Sequence, residues 1–290
     1  MTRVLSALVL LPVVIGAIWF LPPWGTLLLA VVAAVLGFHE YRTIARGLGA
    51  TVHAGIGAVA VVLVTYAMSI TDSAYTVHGD VYQMTPNLVY LVLMAALIVV
   101  GSLSVGHGRP GPGALADAAA TLFAPIYIGL PLGALAAVRG EVGSLAASQD
   151  NITWAIVDGR WVVLLLLIVI VVSDSAQYYT GRTFGKRPLA PTISPKKTIE
   201  GAIGGLMFGT LAMAVGGHYV FASPIWILAL LGAAISLLGI VGDLFESLLK
   251  RSAGVKDSSN LIPGHGGVLD RIDSWLFTAP LYYFFVRFLA

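Results

Sequence analysis

The chain has 290 residues, no cysteine, a formal net charge of +2, 58% hydrophobic residues and only 10% charged ones. With a strongly positive mean hydropathy, these values exclude an ordinary soluble domain and point to a polytopic membrane protein. The lack of thiols excludes disulfides, a thiolate nucleophile and a sulfur-held metal, and so small a net charge gives no ground for a nucleic-acid partner.

A hydrocarbon core about 30 Å thick takes about 20 apolar residues per helix. Nine such runs occur, near 4–21, 25–47, 54–70, 87–103, 114–138, 161–181, 200–221, 224–249 and 272–289, and they predict an all-α integral membrane protein with about nine spans. Thr2 and Arg3 before the first run resemble the start of a secretory signal. The run lacks a small-residue cleavage site and leads at once into Pro22, Pro23 and the second run, so it reads as a retained span. With the N terminus inside, thirteen of the sixteen Lys and Arg residues fall on the cytoplasmic side, leaving Arg139, Arg160 and Arg287 outside. Basic residues in short loops resist translocation, so the expected topology is N-in and C-out.

Three stretches differ in character: 1–113, apolar helices with few polar features; 114–181, the middle helices; and 182–290, helices whose cytoplasmic loops are dense in charge. The loops at 71–86 and 104–113 hold Gly, Pro, His and Asp without a metal-binding spacing, and "GHGRPGPG" at 106–113 reads as a turn-rich connector.

Four acids lie within or beside the later spans: Asp174, Glu200, Asp243 and Glu246. An ionised carboxylate in hydrocarbon costs at least about 2.5–3.5 kcal/mol, so each needs a cavity, a partner or an ion. In "GDLFES" the i, i+3, i+4 spacing puts Asp243, Glu246 and Ser247 on one helical face, and Asp270 and Asp273 repeat the i, i+3 spacing at the start of the last helix. Taken alone, Asp270 and Asp273 read as helix-terminal acids, which are stabilising there, and Asp243 as a partner of Lys250 or Arg251. Two acid pairs flanking a cationic, glycine-rich loop shift the reading towards Mg²⁺, which takes carboxylate oxygens together with substrate phosphates.

The other charged loop contains "SPKKT". Here Ser194 suits a helix N-cap and Pro195 the first helical position, so Lys196 and Lys197 are expected on a first turn whose N–H groups attract phosphate. The same lysines also serve as a positive-inside signal. "GRTFGK" is not a P-loop, because its glycine spacing is one residue short and Arg187 stands where Ser or Thr is needed. His265, in "PGHGGVLD", reads either as a turn residue or as a substrate contact, since a candidate metal acid and two cations are near it in the chain. The combined pattern suits phosphoryl or nucleotidyl transfer to an acceptor in the membrane. A different membrane phosphotransferase and a transporter of an anionic substrate are the alternatives. The D-x-x-D-G-x-x-A-R motif of CDP-alcohol phosphotransferases is absent, and no inverted repeat of the transporter kind is visible.

At these residues the chain closely resembles the CDP-diacylglycerol synthases, or phosphatidate cytidylyltransferases. Their signature S-x-hydrophobic-K-R, four residues, K-D, then H-G-G-x-x-D-R-x-D is met by Ser247, Lys250, Arg251, Lys256, Asp257, His265, Gly266, Gly267, Asp270, Arg271 and Asp273. "SDSAQYYTGRTFGKRPLAPTISPKKTIEG" and "GDLFES" are similar to further elements and "LFAPIYIGLPLGAL" to the family's middle helix, so the likeness covers roughly 120–275. Gln177 departs from the family's usual alanine. The resemblance implies condensation of CTP with phosphatidate, Mg²⁺ with a second, monovalent cation left open, a homodimer, and a bacterial inner-membrane location with the site facing the cytoplasm. It also implies roles. Asp243 and Asp270 lead as metal ligands, with Asp273, Asp174 and Glu246 behind them. Lys196, Lys197, Lys250, Arg251 and Arg271 neutralise phosphates, and Ser194, Thr198, Glu200, Lys256, Asp257, His265, Gly266 and Gly267 contact substrate.

Overall fold

The computed structural model describes residues 12–70, 74–77, 80–83, 87–106, 111, 113–145, 158–221, 223–262 and 266–288. Helix α1 occupies residues 12–20 of the described chain. It is followed by α2 (Pro23–Gly47), α3 (Ala54–Ser69), strands β1 (Ala74–Val77) and β2 (Asp80–Gln83), α4 (Asn87–Gly106), α5 (Gly113–Ala124), a π-helical turn (Pro125–Gly129) and α6 (Leu130–Leu145). Then come α7 (Gly159–Phe184), β3 (Pro188–Ala190), β4 (Ser194–Thr198), α8 (Ile199–Val220), α9 (Ile225–Ser252) and α10 (Leu269–Phe288).

Every apolar run seen in the sequence meets a helix, and six helices are long and apolar enough to cross a membrane by length and composition, with α5, the π turn and α6 together forming one of them. The outward faces agree. Leu28, Val32, Met94, Ile98, Met207 and Leu211 are large, apolar and exposed, as expected where the solvent is lipid. The chain is a mostly helical integral membrane protein. Two short antiparallel hairpins, β1–β2 and β3–β4, are the departures from an all-α chain among the described residues.

The chain divides into two compact units. One holds the described residues up to Glu141 together with Ser252–Ile272; the other holds Val142–Arg251 and the described residues from Asp273 onward.

In the first unit, α2 and α3 pack with the π turn. Pro125 has no N–H to donate, and the ladder widens there to i→i+5. Gly129 then lies so close to α3 that a Cβ would stand 2.8 Å from the Val61 carbonyl oxygen. Thr65 Oγ1 donates to Val61 O at 2.8 Å and lies 3.2 Å from Gly129 O. The core beside it is made of Val61, Val64, Ile128 and Phe38.

In the second unit, α7 and α8 run antiparallel. As α8 advances through Gly201, Gly205, Gly209 and Gly216, the α7 neighbours fall from Gly181 and Gln177 through Ser173 to Leu165. Small residues bring the backbones together, the usual device between helices in lipid, where no hydrophobic force acts between them. Gln177 therefore sits on the face of α7 that meets the α8 glycines. Gly232 of α9 closes on Met213 and the Gly209 carbonyl of α8, and Gly242 closes on the Asp273 carbonyl and Phe277 of α10.

Candidate active site

The segment "SPKKT" is a strand, not the first turn of a helix. Pro188 pairs with Thr198 and Ala190 with Ser194, and α8 begins only at Ile199. Thr198 is the actual N-cap: its Oγ1 accepts from Gly201 N–H at 3.1 Å. Gly181 and Gly185 make room for it, since a Cβ at 185 would stand 2.8 Å from Thr198 Oγ1. Glu200 supplies the second tie. Its Oε2 accepts from Lys186 N–H at 3.0 Å and Arg187 N–H at 3.2 Å, while Ile199 N–H donates to Arg187 O at 2.9 Å. These bonds draw the chain back alongside 187–190, so Ser194–Lys197 extends as its partner. Thr198 and Glu200, expected as substrate contacts, thus hold the hairpin, and Lys196 stays exposed.

The hairpin delivers Lys197 to α9. Lys197 Nζ is ion-paired with Asp243 Oδ2, and Ser247 Oγ lies 3.4 Å from Asp243 Oδ1. One turn further, Lys250 Nζ donates to Glu246 Oε2 at 2.6 Å, with both side chains buried. The close approach of Gly242 to Asp273 explains a third grouping: the charges of Asp243, Asp174 and Lys250 all act on Asp273. Of the sequence-predicted residues, Lys197, Asp243, Glu246, Lys250, Asp174 and Asp273 are thus gathered within the second unit. Ser194 opens β4 on the same hairpin. Arg251, at the end of α9, is exposed.

In the first unit lies the loop from Ser252 to α10. Asp270 Oδ2 accepts from Ser258 N–H at 2.9 Å, Ser258 Oγ at 2.8 Å and Gly267 N–H at 2.7 Å. One oxygen of this expected metal ligand is therefore committed to its own loop. Gly266 has φ +79°, and a Cβ there would collide with Asp270 Oδ2; a Cβ at Gly267 would collide with Ser258 Oγ and Glu40. Both glycines are required by that packing, and substrate contact is not needed to explain them. Lys256, Asp257 and Arg271 are exposed. His265 lies outside the described residues.

The residue that sequence reasoning missed is Glu40 on α2, only 3% exposed. Its signal was present: a lone carboxylate inside an apolar run demands a partner.

Among the described residues no three His, Cys, Asp or Glu side chains are grouped to hold a metal ion. What is gathered is carboxylates interleaved with lysines, in a membrane protein. Lysines are side chains that bind phosphate oxygens, and carboxylates are ligands of the hard cations that accompany them.

The comparisons name the family. The model of the Cytidylyltransferase family matches residues 1–289. The phosphatidate cytidylyltransferase of Haemophilus influenzae is 30% identical over 291 residues, covering 99% of this chain and 98% of that one. That of Pseudomonas aeruginosa is 32% identical over 289 residues, covering 97% and 94%. The Synechocystis phosphatidate cytidylyltransferase reaches 47% identity over 130 residues, 44% of each chain, so the chain matches under half of that relative's length. The chain belongs to the cytidylyltransferase family and is an enzyme of it.

Proposed function

We propose that the chain condenses CTP with phosphatidate to give CDP-diacylglycerol and pyrophosphate, in a Mg²⁺-dependent reaction. The observation that carries this reading is the Lys197–Asp243 ion pair, which joins the "SPKKT" and "GDLFES" motifs across 46 positions of sequence. A phosphate oxygen of phosphatidate attacks the α-phosphorus of CTP. A new P–O bond forms, the bond from the α-phosphorus to its bridging oxygen breaks, and pyrophosphate leaves. The nucleophile is already an anion, so the protein's task is to bring polyanions together and neutralise them.

The donor set fits Mg²⁺, which is typically held by one or two carboxylates plus substrate phosphates and does not need a closed protein cage. Asp243 and Asp273 would hold it, with Asp174 acting on Asp273; for Asp270 a ligand role rests on the family resemblance. Bound there, the ion would supply charge neutralisation at the triphosphate. Lys197, Lys196 and Arg251 bind phosphate oxygens and orient them; for Arg271 and Lys256 a phosphate-binding role rests on the family resemblance. The buried Lys250 pairs with Glu246, one turn of α9 from Asp243.

The topology proposed with this reading is nine spans, N-in and C-out, in a bacterial inner membrane with the site on the cytoplasmic face, as the positive-inside count supports. A homodimer is proposed from the family resemblance.

The test is conversion of labelled CTP into lipid-extractable product by the purified protein in detergent, with phosphatidate and either Mg²⁺ or EDTA. Product requiring both phosphatidate and Mg²⁺ supports the reading. No product from folded protein across lipids and nucleotides overturns it.

A further inference from the structure

Glu40 belongs to the helix that carries no part of the sequence signature, yet its carboxylate binds the signature loop. Oε1 accepts from Ser259 Oγ at 2.6 Å and Val268 N–H at 3.0 Å; Oε2 accepts from Ser258 Oγ at 2.9 Å and Leu269 N–H at 2.7 Å. Oε1 therefore has two donors, and Oε2 has Leu269 N–H together with a share of the Ser258 hydroxyl, which is how a buried carboxylate avoids the cost of lost water. Two of those donors are backbone N–H groups where α10 starts, groups that have no acceptor within their own helix. An acid at that end is also favoured by the helix dipole. The two serines lie nine or more residues earlier in the loop, so one carboxylate pins both its descending and its returning arm.

Asp270 completes the knot. Ser258 Oγ is 2.9 Å from Glu40 Oε2 and 2.8 Å from Asp270 Oδ2, its single proton serving one at a time. Gly267 is the position where no side chain fits between Ser258 and Glu40. The strictly spaced glycine and Asp270 of the signature are thus shaped around an acid from a distant helix.

We infer that Glu40 is a positioning residue for catalysis: it sets the conformation of the described loop residues 256–262 and 266–271 and so the placement of Lys256, Asp270 and Arg271 on substrate phosphates. This inference rests on the cytidylyl-transfer reading given above.

The experiment compares full-length wild type, E40Q, E40D and S259A in detergent. Each is measured for kcat and KM towards CTP and phosphatidate, and for amide hydrogen exchange. E40Q keeps the shape but turns an acceptor into a donor facing N–H and O–H groups. It is expected to lower kcat/KM by about 100-fold, the scale of a misplaced catalytic geometry, with KM for a phosphate substrate rising. Exchange should quicken at 258–269 and stay unchanged in α7 and α8. S259A removes one hydroxyl donor to Glu40 and provides the same measurement should E40Q fail to fold; it is expected to show a smaller loss of the same kind, and E40D to recover part of the E40Q loss. Full kcat/KM in E40Q, in S259A if E40Q is unfolded, or faster exchange spread evenly over all helices overturns the inference. If wild type itself makes no lipid product, the cytidylyl-transfer reading fails instead, and local exchange at 258–269 still reports on the knot.

Discussion

Lys197 of β4 and Asp243 of α9 form an ion pair within one compact unit, so a hairpin lysine and a helix carboxylate, each charged and each on a motif of its own, share one site. The pair is partly exposed, with side-chain exposures of 16% and 35%. Pairs of that kind contribute about 0–1 kcal/mol, so its value lies in chemistry and not in stability. D243N should therefore lower turnover by about 100-fold or more while leaving thermal unfolding nearly unchanged. An assay of product beside a melting curve checks both; a D243N protein with full turnover would end the proposed metal role.

K197A separates binding from folding in the same pair. Removing the ammonium should raise KM for CTP or phosphatidate by about tenfold, as the loss of one charge-assisted contact does. Initial-rate measurements over both substrates decide it, and unchanged KM values for both would remove Lys197 from the substrate site.

The proposed Mg²⁺ requirement can be tested directly. With one or two protein carboxylates as ligands, affinity depends on the substrate phosphates, so EDTA should abolish turnover and added Mg²⁺ restore it fully. Mg²⁺ titration at fixed CTP should also show a weaker apparent affinity in D273N than in wild type. Activity that survives EDTA would remove the ion from the mechanism.

The packing of α7 on α8 sets a stability prediction. A Cβ at Gly204 would stand 2.6 and 2.7 Å from Thr180 Cγ2 and Cβ, whereas at Gly101 on α4 nothing among the described residues lies within 4 Å. G204A should cost about 1–3 kcal/mol through overpacking. G101A should be neutral or stabilising, since alanine is the better helix former by about 1 kcal/mol. Thermal unfolding in detergent compares the two directly.

The helices were legible because hydropathy and length decide them, and "GDLFES" was legible because helical spacing puts Asp243 and Ser247 on one face. "SPKKT" misled for a reason of local chemistry. Ser194-Pro195 is a good helix start, but Thr198 is another, and the backbone bonds from Lys186 and Arg187 to Glu200 favour it by pulling the preceding residues into a strand. No local pattern announces such a bond, which joins residues 14 apart. Glu40 was visible as a lone acid in an apolar run, but its partners were not: its donors lie 218 to 229 positions away, and only the fold brings them to it. The glycines at 266 and 267 were visible as a motif, but the reason for them, the carboxylates of Asp270 and Glu40, was not.

Glu246 and Lys250 test what a buried charge pair is for. Glu246 is fully buried and Lys250 nearly so, with 2.6 Å between Nζ and Oε2. Removing one partner leaves the other charge buried without its counter-ion, which costs about 3–5 kcal/mol, whereas replacing both with apolar residues of similar size is often neutral. E246L should therefore melt well below wild type, and E246L/K250M should recover most of that loss. Recovery of stability need not bring recovery of activity. If Lys250 serves only to balance Glu246, the double variant will turn over CTP at close to the wild-type rate. If its charge also acts on Asp273 and the bound phosphates, the role the family resemblance implies, the double variant will be stable and at least about tenfold slower. Melting curves and turnover measured on the same preparations distinguish the two, and a stable, fully active double variant would remove Lys250 from the catalytic machinery.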